Sequence, residues 1–252
     1  MDKFSTTMKQ IACPVCGNDE FEQLFSKQNE IFSCCNVCTF ILINPPPKLE
    51  AITATYDEDY SQMYIRKADK KLKRCSGWVA RVQKRFITSG RWLDVGCSAG
   101  FVVRAAADRG FEAHGVEVES AAIHYGREAL QLENLRCGFL EEQGYPDSYF
   151  DVISLYDVIE HVPNLNRLIA EVGRILNPRG VVEIRTPNVD HWLTPRDLST
   201  WKEVKPSEHL YYFSFTTLKT LLENHGFKFR YKRFMLKSAL NVYFEKPTTP
   251  TK

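Results

Sequence analysis

Apolar residues change their spacing along the chain, and the changes divide it into elements. Short segments with apolar residues at 91–95, 112–116, 134–137, 150–156 and 181–185 predict strands. Between them, residues 101–109 and the series Leu165, Leu168, Ile169, Val172, Ile175 and Leu176 recur every three to four positions and predict helices that cover a sheet. Strands alternating with helices predict an α/β fold built on a doubly wound parallel sheet. Asn177-Pro178-Arg179-Gly180 reads as the turn into the fifth strand, Gly226 as the stop of a helix at 216–225, and 227–236 with 240–245 as a closing hairpin.

The N-terminal third has a different pattern. Two strand-like pieces, 21–25 and 30–33, lie between cysteine pairs, and Asn44-Pro45-Pro46-Pro47 forms a stiff, extended connector. Tyr56, Tyr60 and Tyr64 follow at helix-like spacing and either line a substrate or cofactor mouth or, the favoured reading, pack this segment on the core. Leu72, Trp78, Val79, Val82 and Phe86 then form a helical stripe, which leaves the many Lys and Arg of 66–91 on a solvated face. The division expected is 1–45 as a small ribbon, 46–89 as a helical linker or cap, and 90–252 as the α/β domain.

Composition narrows the class without naming a function. A chain of 252 residues that is 44% hydrophobic and 25% charged is long enough for one full core and a small appendage. Its net charge of +2 is too mild to mark a dedicated nucleic-acid binder. No apolar run reaches membrane-spanning length and residues 1–10 carry no apolar signal core, so a cytoplasmic protein without membrane insertion is expected. In that setting the eight cysteines are expected as thiols or metal ligands, not disulfides.

Cys13-Pro14-Val15-Cys16 and Cys35-Asn36-Val37-Cys38 are two CxxC knuckles. Each tight turn aims two thiolates at one point, and two such turns make a closed tetrahedral S₄ site, so Cys13, Cys16, Cys35 and Cys38 are the expected ligands of a structural Zn²⁺. Cys34 competes with Cys35 for the third place.

Candidate reaction chemistry centres on Trp92-Leu93-Asp94-Val95-Gly96-Cys97-Ser98-Ala99-Gly100-Phe101, a strand that ends on a carboxylate and a glycine-bounded loop before a helix. Such a loop gathers backbone N–H groups at the carboxyl end of a sheet, where open α/β folds bind ligands. It lacks the G-x-G-x-x-G spacing of a dinucleotide site. Glu117, at the tip of the second strand about 20 residues beyond the loop, is placed to accept hydrogen bonds from two ribose hydroxyls. Glu119 is its neighbouring competitor. The insertion 186–209, rich in Pro, Trp and His, is expected to form a substrate lid.

Asp94-Val95-Gly96-Cys97-Ser98-Ala99-Gly100 resembles motif I of the class I S-adenosylmethionine (SAM)-dependent methyltransferases, with Ser98 in place of the middle glycine. Phe150-Asp151 leading to Asp157-Val158-Ile159-Glu160-His161-Val162, and Glu208-His209-Leu210-Tyr211-Tyr212-Phe213-Ser214 before a helix, extend the likeness to the ubiquinone/menaquinone-methyltransferase-like group with an N-terminal zinc ribbon. The resemblance implies a Rossmann-like seven-stranded sheet and SAM as cofactor. It implies SAM contacts from Asp94, Gly96, Cys97, Ser98, Gly100, Glu117, Val118, Phe139, Leu140, Leu155 and Tyr156. The aspartate that often reads the adenine amine in this family is Phe139 here.

For methyl transfer to a small-molecule hydroxyl, sugar or phenolic, a base is needed, and the candidates in order are His209, His161 and Glu208. Either histidine could instead be a structural hydrogen-bond donor. The competing classes are a zinc-ribbon RNA methyltransferase, with nucleic acid as partner, and a non-catalytic SAM-binding adaptor.

Overall fold

The structure is a computed structural model that describes residues 10–48 and 68–248. Tyr56, Tyr60 and Tyr64, and with them residues 49–67 of the expected linker, lie outside the described residues. Among the described residues there are two sheets. The larger has seven strands: β4 (Arg91–Val95), β5 (Glu112–Glu117), β6 (Leu135–Cys137), β7 (Phe150–Tyr156), β8 (Leu176–Pro187), β10 (Lys228–Lys232) and β11 (Ala239–Glu245), in the order β10-β11-β8-β7-β4-β5-β6. β6, β5, β4, β7 and β8 are parallel, and β11 and β10 close the far edge antiparallel.

Helices cover both faces. α1 (Ala68–Arg85), α2 (Phe101–Ala107) and α3 (Ser120–Leu130) pack on one face, where Val79, Val82, Val103, Ala106 and Ile123 meet Trp92 and Val152. α4 (Leu165–Ile175) and α5 (Phe215–Asn224) pack on the other, over Leu93, Ile153 and Leu155. α4 starts where Asn164 accepts from the Arg167 N–H, and α5 starts with a reciprocal Ser214–Thr217 box. Each cap satisfies donors that the first helical turn leaves open.

Asn177 to Gly180 departs from the expectation of a simple turn. These residues lie inside β8, where Phe150 pairs with Leu176 but Val152 pairs with Val181, so the chain loops out as a wide bulge. Asn177 Nδ2 donates to Asp151 Oδ1 at 2.7 Å and holds the bulge against β7.

The second sheet is the ribbon: β1 (Phe21–Lys27), β2 (Glu30–Cys35), β3 (Ile41–Ile43) and β9 (Tyr211–Tyr212), all antiparallel. Its fourth strand comes from the other end of the chain, so strand pairing crosses the boundary drawn at residue 45. Phe32, Phe40 and Leu42 join the same buried apolar cluster as α4 and α5. Strand order reverses between β4 and β7, and this is where an open α/β sheet leaves a crevice.

Candidate active site

A cavity of about 830 Å³ opens at the carboxyl ends of β4, β5, β7 and β8. The glycine loop forms its floor. Gly96 has φ +66°, and a Cβ there would lie 2.5 Å from Val158 Cγ2, so a side chain would intrude on both the backbone and its neighbour. Gly100 has φ +84° and caps α2, packed on Leu132. Ser98 holds φ +48°, the conformation that makes a glycine favourable at this place in the motif.

Glu117 faces this loop. Its Oε2 accepts from the Ser98 N–H at 2.8 Å, and its Oε1 from the N–H groups of Val118 at 2.7 Å and Glu119 at 3.1 Å. A carboxylate offers about four acceptor directions, so three backbone donors fix its orientation and leave capacity for a ligand. Gly138, Phe139, Leu140, Glu141 and Glu142 wall the cavity beside it.

Across the crevice, Tyr156 donates to Glu183 at 2.5 Å, and Tyr243 and Asn241 donate to the same buried carboxylate. Asp157, in the left-handed region at φ +57°, pairs with Arg185, whose guanidinium lies 4.5 Å from the Trp78 ring centroid. Beyond them Glu160, His161 and His209 come together. His161 Nδ1 lies 2.8 Å from the Glu208 carbonyl oxygen, which can only accept, so Nδ1 carries the proton and Nε2 is a bare lone pair. The His161 and His209 rings meet edge to face at 4.5 Å. Burial, reinforced by His161 and Lys205, pulls His209 down to about 3, and burial lowers His161 as well, so both rings are neutral at pH 7.

A family model described as a methyltransferase domain matches residues 56–232, most of the chain. The chain belongs to this methyltransferase family. A ubiquinone biosynthesis O-methyltransferase of Rickettsia prowazekii is 31% identical over 101 residues, 38% of this chain and 39% of that protein. The first three curated relatives are matched over only 37% to 40% of their own length. Among solved structures, PH0226 of Pyrococcus horikoshii aligns with TM-score 0.56 at 19% identity over 75% of this chain and 92% of that one. The [4+2]-cyclase SpnF aligns with TM-score 0.57 at 17% identity over 69% of this chain and 81% of that one. At such identities the likeness concerns the fold, which also serves a cyclase.

Not every residue singled out in the methyltransferase sequence reaches the cavity. Gly96, Ser98, Glu117, Val118, Phe139, Leu140 and Tyr156 line it. Cys97 and Leu155 have buried side chains that do not. Strand alternation explains Leu155: it points into the α4/α5 layer while Tyr156 points to the α1 side. Gly100 is buried under Leu132 and Leu135. Asp94 lies beneath the loop, accepting from Ser154 Oγ at 2.6 Å, and Ser154 Oγ in turn accepts from Trp92 Nε1 at 2.9 Å. Burial raises Asp94 to about 8 against the opposing Ser154 bond. The Glu208 carboxylate pairs with Lys205 at 3.5 Å, and it is the Glu208 carbonyl that bonds His161.

Sequence reasoning overlooked Glu160. Its Oε2 accepts from Thr186 Oγ1 at 3.0 Å, its Oε1 is buried without a partner, and burial raises it to about 8. The only local signal was its place beside His161, because His209 reaches it through the fold.

In the ribbon, all four sulfurs of Cys13, Cys16, Cys35 and Cys38 lie within 4.8 Å of one another, and the pairs Cys13–Cys38 and Cys16–Cys35 stand at 3.5 Å. That exceeds any disulfide and approaches the edge of about 3.8 Å that Zn–S bonds of about 2.3 Å set in a tetrahedron. Burial pushes Cys13 up to about 11. Cys35 is also pushed up by burial, but the Cys38 and Val37 N–H groups outweigh this and bring it down to about 7. Cys34 stays outside the cluster, its Sγ 3.8 Å from the Cys35 carbonyl oxygen.

Proposed function

We propose that this protein is a SAM-dependent O-methyltransferase acting on a small-molecule hydroxyl, sugar or phenolic, and that its Cys₄ ribbon holds a structural Zn²⁺. The observation that carries the reading is Glu117, held by three backbone N–H groups and facing a cavity whose other side presents two neutral histidines. When bound, SAM supplies a methyl made electrophilic by the sulfonium. The chain supplies alignment and a place for a proton.

In this reading Glu117 takes the ribose hydroxyls, and the positive-φ backbone at Gly96 lets the ligand approach closely. Phe139 and Leu140 offer apolar contact where other members carry an acid. His161 Nε2 takes the acceptor's proton, while the Glu208 carbonyl keeps the opposite nitrogen protonated. The insertion 186–209 walls the acceptor side through Lys202, Lys205 and His209.

The test is transfer of a labelled methyl group from SAM to a panel of catechols and reducing sugars. His161→Gln is expected to lower turnover on the best acceptor by about 10²-fold or more, the scale of general base catalysis. Label appearing only in RNA would overturn the small-molecule assignment, and no transfer to any acceptor despite tight SAM binding would favour an adaptor.

A further inference from the structure

Two buried polar atoms in one side-chain cluster, Glu160 Oε1 and His209 Nδ1, both lack a hydrogen-bond partner. The third member of the group, His161, points its unprotonated Nε2 away from the carbonyl that holds Nδ1. His209 Nδ1 is buried and has no hydrogen-bond partner, so its lone pair is open to a ligand bond. His161 thus commits one ring nitrogen to a backbone carbonyl and keeps the other free for a ligand bond. This is how metal-ligating histidines are oriented by their surroundings.

We propose that Glu160, His161 and His209 form a second metal site, separate from the ribbon, which holds a divalent ion of the Zn²⁺, Co²⁺ or Ni²⁺ class at the acceptor end of the cavity. The three donor atoms lie within 4.8 Å of one another. Bonds of about 2.1 Å require donor separations of about 3 to 4 Å, so side-chain rotations that draw the donors together by at most about 1–2 Å close the site. Two imidazoles and one carboxylate favour a borderline ion over Mg²⁺, which prefers oxygen. Three protein ligands leave coordination positions open, and all three residues line the cavity. Thr186 Oγ1 holds the other carboxylate oxygen and fixes the rotamer of Glu160.

This deepens the proposed methyl transfer and rests on it only for its consequence. An acceptor hydroxyl bound to the ion would release its proton to solvent more readily, so the ion would take over the task given to His161 in the metal-free protein. The ion would also give Glu160 Oε1 the partner it lacks.

The site is tested by metal content, which does not depend on turnover. Full-length protein equilibrated with micromolar Zn²⁺ and desalted is expected to carry about two ions per chain, and Glu160→Gln about one, with its far-UV circular dichroism unchanged. Cobalt substitution gives a second measurement on the unaltered chain. The ribbon ion should show intense thiolate charge-transfer absorption, and a second cobalt should bind without adding to it. About one ion in the unaltered chain, equal content in both proteins, or a second cobalt with thiolate absorption would each overturn the proposal. If Glu160→Gln does not fold, the cobalt count decides alone. SAM binding without a second ion would leave the methyltransferase reading standing, and a second ion without SAM binding would leave only the metal site.

Discussion

One methyl group added at Gly96 would sit 2.5 Å from Val158 Cγ2 on a backbone already at φ +66°. Gly96→Ala is therefore expected to lose about 1–2 kcal/mol of stability from the left-handed backbone alone, and to weaken SAM binding. Val158→Ala in the same chain should remove the contact but not the backbone strain, and so restore only part of the loss. Urea denaturation of the single and double variants checks this, and full recovery would contradict it. Asp94 gives a pH test. Its folded pKa of about 8 lies above the unfolded value near 3.9, so the folded state holds the proton more tightly. The stability this contributes is full below about pH 4 and is lost as pH rises through about 8. Asp94→Asn keeps an acceptor for Ser154 without the charge, and its urea midpoint should fall less between pH 5 and pH 8.5 than that of the unaltered chain. Parallel curves would refute the shift. Glu117 was legible in the sequence because its distance from the glycine loop is fixed by one strand and one helix. The orphaned oxygen of Glu160 was not, because it depends on a histidine that arrives 49 positions later, from the far side of the insertion.

Ribbon and insertion form one mechanical unit. Ser207 donates its N–H and hydroxyl to Glu30 at 2.8 and 2.6 Å, and Lys27 Nζ donates to the Val204 carbonyl at 3.1 Å. The hairpin β1–β2 therefore pins the chain just before His209, and β9 pairs with β3 just after it. Glu30→Ala should cost about 1–2 kcal/mol of stability and raise the acceptor KM while SAM affinity stays unchanged. Amide exchange over 199–209 should quicken, and unaltered exchange there would contradict the coupling. The cysteine knuckles were readable because CxxC is a local motif with one dominant chemistry. β9 was not, because two residues carry no periodicity and its partner strand lies in the other third of the chain. The bulge at 177–180 reads as a turn in the sequence since Pro and Gly mark both, and only the register against β7 separates them.

Across the whole molecule, the strand and helix periods were enough to predict the doubly wound sheet, since strands alternate with helices along the chain. They could not show that the ribbon is built into the main core, with Phe32, Phe40 and Leu42 in one cluster with α4 and α5. Disruption of the Cys₄ cluster proposed to hold Zn²⁺ should consequently be felt throughout. Cys16→Ser is expected to lower the single thermal midpoint by roughly 5–10 °C, the shift that about 3 kcal/mol produces in a chain of this size. A separate early transition, with the main midpoint unmoved, would show the ribbon to be independent. The central claim is that the crevice above Gly96 seats a nucleoside whose sugar is held by Glu117. Calorimetric titration with SAM addresses it directly: one site per chain is expected, with affinity lowered at least about tenfold in Glu117→Ala, a loss of about 1.4 kcal/mol. Absence of binding heat, or equal affinity in the two proteins, would contradict the account.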